Sequence, residues 1–153
     1  MKKSRFEVLS DIWDTIDSPN MEFFNNRLLL QKKVYLLKEL GLDLDYNFHL
    51  YLHGPYSKDL ATDGYKISTI KNSSDKKVFV IDSAILTKLK ELEKGHNNDI
   101  LWFELLATIT YLKNVEKKDK EEIKKFISDN KPYIFNLFEE GYKILINEKL
   151  ITN

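Results

Sequence analysis

The sequence predicts a mainly α-helical protein with a small β-hairpin, an α+β class with a winged-helix-like arrangement. Apolar residues recur at three- and four-residue intervals over most of the chain, and the period changes to two in only a few short stretches. A chain of 153 residues buries about two-thirds of its unfolded surface, so it folds without metal or disulfide. We expect a single domain over residues 1–153, with a packing helix within 1–20, a winged-helix-like half over 25–94 and a helical half over 99–153.

The composition narrows the classes of function. The 24 basic and 24 acidic residues cancel, so no overall field attracts the molecule to nucleic acid or anionic lipid, and any such binding must be local. The absence of cysteine excludes thiolate catalysis, disulfides and cysteine-bound zinc, and is typical of a reducing compartment. No apolar run approaches the ~18 residues of a membrane span. We therefore expect a cytoplasmic protein without signal peptide, membrane segment or cofactor.

A leucine-rich helix is predicted before Gly41, which can adopt the left-handed conformation that closes a helix. Its apolar residues share one side and are Leu29, Leu30, Val34, Leu36, Leu37 and Leu40. Its charged residues occupy the remaining arc and are Arg27, Lys32, Lys33, Lys38 and Glu39. The pattern predicts a helix with one buried side and one solvated side.

A strand and a sharp corner follow this helix. Residues 46–53 alternate between apolar and polar side chains, which predicts a half-buried strand. Gly54 and Pro55 are expected to end strand pairing, because proline has no amide hydrogen to donate. Ser57 can then cap a short helix that begins at Lys58.

Next come two β-rich stretches, residues 67–70 and 78–81, separated by the turn-forming residues 72–75. Two such strands after a short helix predict the wing of a winged helix. Lys71, Lys76 and Lys77 lie near its tip, where they can contact phosphate, although hairpin tips are often lysine-rich for solubility alone.

Three helices are predicted in the second half of the chain, after a helix capped by Asp82 or Ser83. Asp99 is expected to cap the most apolar helix, residues 100–113, which should lie at the centre of the fold. A charged helix begins at Asp119, and a last helix covers residues 133–149.

Several of these segments together resemble a known family. The runs LQKKVYLLKELG (residues 30–41), HGPYSKDL (53–60) and WFELLATITYLKN (102–114) resemble the YwgA-like family of small prokaryotic proteins and, more distantly, the Panacea antitoxin domain. The resemblance implies a winged-helix-like domain with regulatory rather than catalytic associations, found around mobile elements and toxin–antitoxin loci.

A metal-assisted enzyme is one alternative, because His49 and His53 lie on one face of the predicted strand and Asp59 and Asp63 follow. Imidazole and carboxylate groups are suitable ligands for zinc, manganese or iron. At the rise of a strand, however, the two histidines lie ~13 Å apart, too far to share an ion. We therefore predict no metal site and no catalytic residues.

Tyrosines are concentrated around the Gly54-Pro55 corner, where they either anchor a protein partner or close the edge of the core. The predicted partner-binding residues are Tyr51, His53, Tyr56, Ser57 and Lys58. The alternative is DNA binding, for which the predicted residues are Lys58, Lys71, Lys76 and Lys77. We favour a protein partner and an antitoxin-like regulatory function, and the sequence also allows a homodimer.

Overall fold

The computed structural model describes residues 3–17, 19–70 and 82–153. This part of the chain is mainly helical and carries one two-stranded antiparallel sheet. The helices are α1 (Arg5–Ile12), α2 (Phe24–Glu39), α3 (Lys58–Ile70), α4 (Ser83–Glu93), α5 (Ile100–Asn114), α6 (Lys120–Asn130) and α7 (Phe138–Asn147), with a 3-10 helix over Pro132–Leu137. The strands are β1 (His49–Tyr51) and β2 (Gly54–Tyr56). The predicted class, mainly α with a small β component, is confirmed, but the observed hairpin is formed by residues 49–56, whereas the predicted hairpin is the wing at 67–81.

The helix ends follow the capping residues in the sequence. The carboxylates of Asp82, Asp99 and Asp119 each accept a backbone N–H in the first turn of the helix that follows. Gly41 has a φ of +114° just beyond α2, the conformation for which glycine was predicted there. These local signals therefore set the starts of α4, α5 and α6 and the end of α2.

Helices α2 and α5 form the centre of the molecule. Both contribute residues to two apolar clusters, one formed mainly by α1, α2 and α3 and the other by α5, α6 and α7. Every residue from 102 to 112 is buried, as predicted for the most apolar helix. Among the described helices, none combines the length and apolar character that a bilayer span requires.

The prediction that one side of α2 is solvated is wrong for the middle of the helix. Residues 30–37 are all buried, because α2 packs against the hairpin on one side and against α4 and α5 on others. Lys33 donates from Nζ to Asp17 Oδ2 at 2.9 Å and to Asn98 Oδ1 at 2.7 Å, which compensates the loss of water. Lys32 is buried against the hairpin corner.

The prediction that residues 67–70 form the first strand of a wing is wrong. Residues 67–70 form the last turn of α3, which is much longer than the short helix expected. Leu60, Gly64 and Ile67 are buried at helical spacing along its inner face, and this packing overrides the β propensity of the isoleucines and threonine. The second strand and the turn at 72–75 lie outside the described residues.

Two further boundaries differ from the prediction. The strand is limited to His49–Tyr51, and Gly54–Tyr56 pairs with it instead of ending pairing. Proline is tolerated there because a two-stranded sheet has only edge strands. The last predicted helix is divided into a 3-10 turn and α7, since Pro132 favours a tight N-terminal turn.

Candidate functional site

The β-hairpin at the corner rests directly on helices α2 and α5. Its strands pair antiparallel with Tyr51 opposite Gly54, so the connecting turn has two residues. Gly54 has a φ of +94°, and a Cβ atom there would lie 2.8 Å from Thr108 Oγ1 and 3.5 Å from Lys32 Cε. Glycine alone suits both the backbone angle and the close approach. The turn is therefore seated against the core.

Two buried lysines bind the main chain on either side of this turn. Lys32 of α2 donates from Nζ to the carbonyl oxygen of Pro55 at 2.7 Å. Lys131 donates from Nζ to the carbonyl oxygen of Leu52 at 2.6 Å. The two lysines are only 1% and 4% exposed, so these bonds replace the water that each ammonium group loses on folding. Side chains far apart in sequence thus fix both ends of the turn.

Glu104 of α5 supplies the negative charge between them and is 2% exposed. Its Oε2 accepts a hydrogen bond from Lys131 Nζ at 3.0 Å and another from the Tyr133 hydroxyl. Its Oε1 lies 3.5 Å from Nδ1 of His53, a residue of the turn itself. We call Lys32, Glu104, Lys131 and Tyr133 the corner cluster. Its three ionisable members other than Tyr133 are buried, and buried charges are stable only while they remain paired or hydrogen-bonded.

The chain beyond the hairpin is attached to α2 by a reciprocal pair of hydrogen bonds. The Gln31 side chain donates to the Ser57 carbonyl oxygen at 3.0 Å and accepts from the Ser57 N–H at 2.8 Å. Ser57 Oγ in turn accepts from the Leu60 N–H at 3.2 Å, as predicted for a helix cap. Consecutive residues of α2, Gln31 and Lys32, therefore hold the backbone from Pro55 to Ser57.

The electrostatics of the corner cluster reflect its burial. The pKa of Lys32 is lowered from 10.5 to about 7, mainly by desolvation; the nearby Glu104 carboxylate opposes the change and the Lys131 ammonium group contributes to it. Burial, together with the hydrogen bond to Glu104, raises the pKa of the Tyr133 hydroxyl. The Lys32 amine is therefore near the midpoint of its titration at neutral pH, while its hydrogen bond to Pro55 is available in both protonation states.

This titration gives an expected pH dependence of stability. Between the folded pKa of about 7 and the ordinary lysine pKa of 10.5, the unfolded chain binds more protons at Lys32 than the folded chain does. The free energy of unfolding should therefore rise with pH in this window. We expect the stability of the wild type relative to Lys32→Met to increase by about 1 kcal/mol per unit from pH 7 to pH 9, measured by urea unfolding. A difference that stays constant or falls with pH would contradict the assignment.

The turn carries an exposed apolar surface. Leu52 at its tip is 81% exposed, and Phe24 and Tyr51 are 53% and 46% exposed. With Leu28 and Tyr56 they line one groove of about 250 Å³. The Phe24 ring meets the His53 ring edge-on at 5.7 Å, and the Tyr51 and Tyr56 rings meet at 5.6 Å. We call Phe24, Tyr51, Leu52 and Tyr56 the corner surface.

The structure brings the predicted partner-binding residues together but separates their roles. Tyr51, Tyr56, His53 and Lys58 all line the groove. Ser57 is 2% exposed, and its hydroxyl and backbone groups bond within the fold. It supports the surface without forming part of it.

The residues predicted for the two alternatives lie in different places. Of the predicted DNA-binding lysines, Lys58 is exposed at the start of α3, whereas Lys71, Lys76 and Lys77 lie outside the described residues. His49 and His53 have separate neighbours, the Asn47 amide at 3.2 Å and Glu104. Within residues 3–17, 19–70 and 82–153, no three histidine, aspartate or glutamate side chains are grouped to hold a metal ion.

Sequence reasoning missed the corner cluster and the exposure of Leu52. One signal was present, because Glu104 is the single acidic residue in an otherwise apolar stretch, and a lone carboxylate there is expected to have a buried partner. The partners themselves come from α2 and from the residues after α6, so no local pattern identifies them. The apolar–polar alternation of residues 46–53 was expected to continue through what is the turn of the hairpin, which put the apolar Leu52 on the buried face of the predicted strand.

The chain matches no protein-family model, and comparison with curated proteins and with solved structures likewise gives no match.

Proposed function

We propose that this protein is a non-catalytic regulatory module that binds another protein through the corner surface. The observation that carries the proposal is Leu52, an 81% exposed leucine in a hairpin whose Leu52 and Pro55 carbonyl groups are bound by the buried Lys131 and Lys32. Exposed apolar groups that are contiguous and lie on a rigid support are typical of interaction sites.

Rigidity favours binding because a partner then orders little of the surface on contact. The tyrosines add ring area while their hydroxyl groups remain hydrated, which is the usual behaviour of interface anchors. The polar ends of Lys32 and Lys131 are directed at main-chain carbonyl groups. This use of the cluster supports a positioning role in preference to catalysis.

We propose two further properties from the sequence. Antitoxin-like regulation and a cytoplasmic location fit a small binding module of balanced charge. The winged-helix type depends on a wing whose first predicted strand is the end of α3 and whose second strand lies outside the described residues. Its DNA-binding alternative depends on Lys58, Lys71, Lys76 and Lys77, of which the structure describes Lys58. A homodimer is tested by sedimentation of the wild type and of Leu52→Asp.

The proposal is tested by an affinity pull-down, in which the immobilised full chain retains proteins from an extract of its native cells. We expect Leu52→Asp to reduce retention of a specific partner at least tenfold, because a charge at the centre of an apolar contact remains desolvated and unpaired. Val115→Asp is the matched control, since Val115 is 52% exposed at the far end of α5. Retained proteins are quantified by mass spectrometry.

Equal retention by wild type and Leu52→Asp would contradict the proposal, as would the recovery of nucleic acid without protein. Both variants should show the circular dichroism spectrum and the melting temperature of the wild type within a few degrees, because both sites are exposed.

A further inference from the structure

The groove beside Leu52 has a chemistry that specifies its occupant. Its walls are apolar and are formed by Phe24, Leu28, Tyr51 and Tyr56 around the Leu52 tip. Its volume of about 250 Å³ is below the ~300–1,000 Å³ of pockets that bind cofactors and other small molecules. A groove of this size suits one or two side chains of a protein.

Among the described residues, no aspartate or glutamate lines this groove. Its basic residues are Lys32 in the floor, His53 beside the turn and Lys58 at the rim. Lys32 is already bound to Pro55, whereas no carboxylate among the described residues forms an ion pair with the exposed Lys58. This local excess contrasts with a chain whose charges balance overall.

The neighbouring carboxylates do not cancel this excess. Asp59 accepts a hydrogen bond from Arg5 at 3.1 Å, and Glu104 is buried behind the turn on Lys131. Lys58 also begins α3, a helix of 13 residues, so the amino-terminal end of the helix dipole adds to the positive potential at the rim. An anionic group entering beside the apolar groove would therefore meet a cation that no carboxylate of the described residues pairs with.

We infer that the groove binds a partner segment in which a large apolar side chain, leucine, phenylalanine or tryptophan, is adjacent to an aspartate or glutamate. The apolar side chain enters between Phe24 and Tyr51, and the carboxylate pairs with Lys58. This inference rests on the proposed function and specifies the chemistry of its partner. The charge pair mainly sets selectivity and rate of association, and the buried side chain supplies most of the affinity.

The test uses random 12-residue peptides displayed on phage and selected on the immobilised full chain. We expect enriched peptides to carry an apolar residue beside an acidic one. A synthetic copy of the most enriched peptide should lose about three- to fivefold in affinity, measured by fluorescence anisotropy at low salt, when its acidic residue is replaced by the amide. The loss should shrink as salt is added.

A charge exchange identifies the contact. Lys58→Glu should weaken the peptide by a similar factor, and an aspartate-to-lysine change in the peptide should restore binding to that variant. Lys88→Glu, on α4 and away from the groove, is the matched control and should leave affinity unchanged.

The outcomes separate the two claims. Peptides that require Leu52 but show no acidic preference would overturn the inference and leave the proposed function intact. Peptides that bind Leu52→Asp as well as wild type would count against both. If sedimentation shows that the wild type self-associates and that Leu52→Asp does not, a second copy fills the groove. If the protein binds phosphatidylserine vesicles and Leu52→Asp does not, a membrane does. Either result overturns the inference.

Discussion

Replacing Glu104 by glutamine is expected to lower the free energy of unfolding by about 3–5 kcal/mol. The change keeps the shape of the side chain and removes its charge. Lys131, which is 4% exposed, then carries a buried positive charge beside Lys32 without a counter-ion. For a chain of this size the loss corresponds to roughly 10 °C in melting temperature, measured by calorimetry and urea unfolding.

Glu140→Gln is the matched control for this variant. Glu140 lies on α7 with its side chain 58% exposed, 3.1 Å from His96 Nε2, and exposed pairs contribute about 0–1 kcal/mol. The double variant Glu104→Gln/Lys131→Met should recover part of the loss, since it removes the orphaned charge. Equal effects of Glu104→Gln and Glu140→Gln would mean that the corner cluster contributes little to the fold.

Gly54→Ala is expected to destabilise the protein by about 2–5 kcal/mol. The positive φ of +94° costs an alanine about 1–2 kcal/mol, and the contact of its Cβ with Thr108 Oγ1 at 2.8 Å adds about 1–3 kcal/mol of overpacking. The measurement is again urea unfolding. The variant should also weaken partner binding, because the turn must shift to admit the methyl group.

Gly95→Ala separates the two contributions. Gly95 has a φ of +81°, and nothing lies within 4 Å of the position of its Cβ, so only the backbone cost of about 1–2 kcal/mol applies. Thr108→Ala should reduce the cost of Gly54→Ala in a double-mutant cycle. If Gly54→Ala and Gly95→Ala have equal effects, the hairpin is not seated on α5 as described.

Local patterns in the sequence predict much of the fold. Asp82, Asp99 and Asp119 mark helix starts because capping involves only neighbouring residues. The apolar stretch at 102–112 predicts a central helix because no other position satisfies its hydrophobicity. Such inferences need no knowledge of the tertiary arrangement.

The predictions are wrong where contacts between distant parts of the chain determine burial or secondary structure. Lys32 and Lys33 have the spacing of solvated residues, yet they are buried, because the hairpin and Asp17 provide oxygen atoms that no nearby sequence reveals. Residues 67–70 have the composition of a strand, yet the inward position of Ile67 continues the helix. The corner cluster combines α2, α5 and the segment after α6, so its assembly is a property of the whole fold.

The central claim, that the rigid corner presents its apolar surface to a partner protein, is tested most directly by site-specific photocrosslinking. The photoreactive residue benzoylphenylalanine is placed at Leu52 or, as control, at Val115, and the full chain is irradiated in its native cells. We expect one specific heteromeric adduct from position 52 and none from position 115. Adducts from position 115 alone, or no adduct from position 52, would contradict the account.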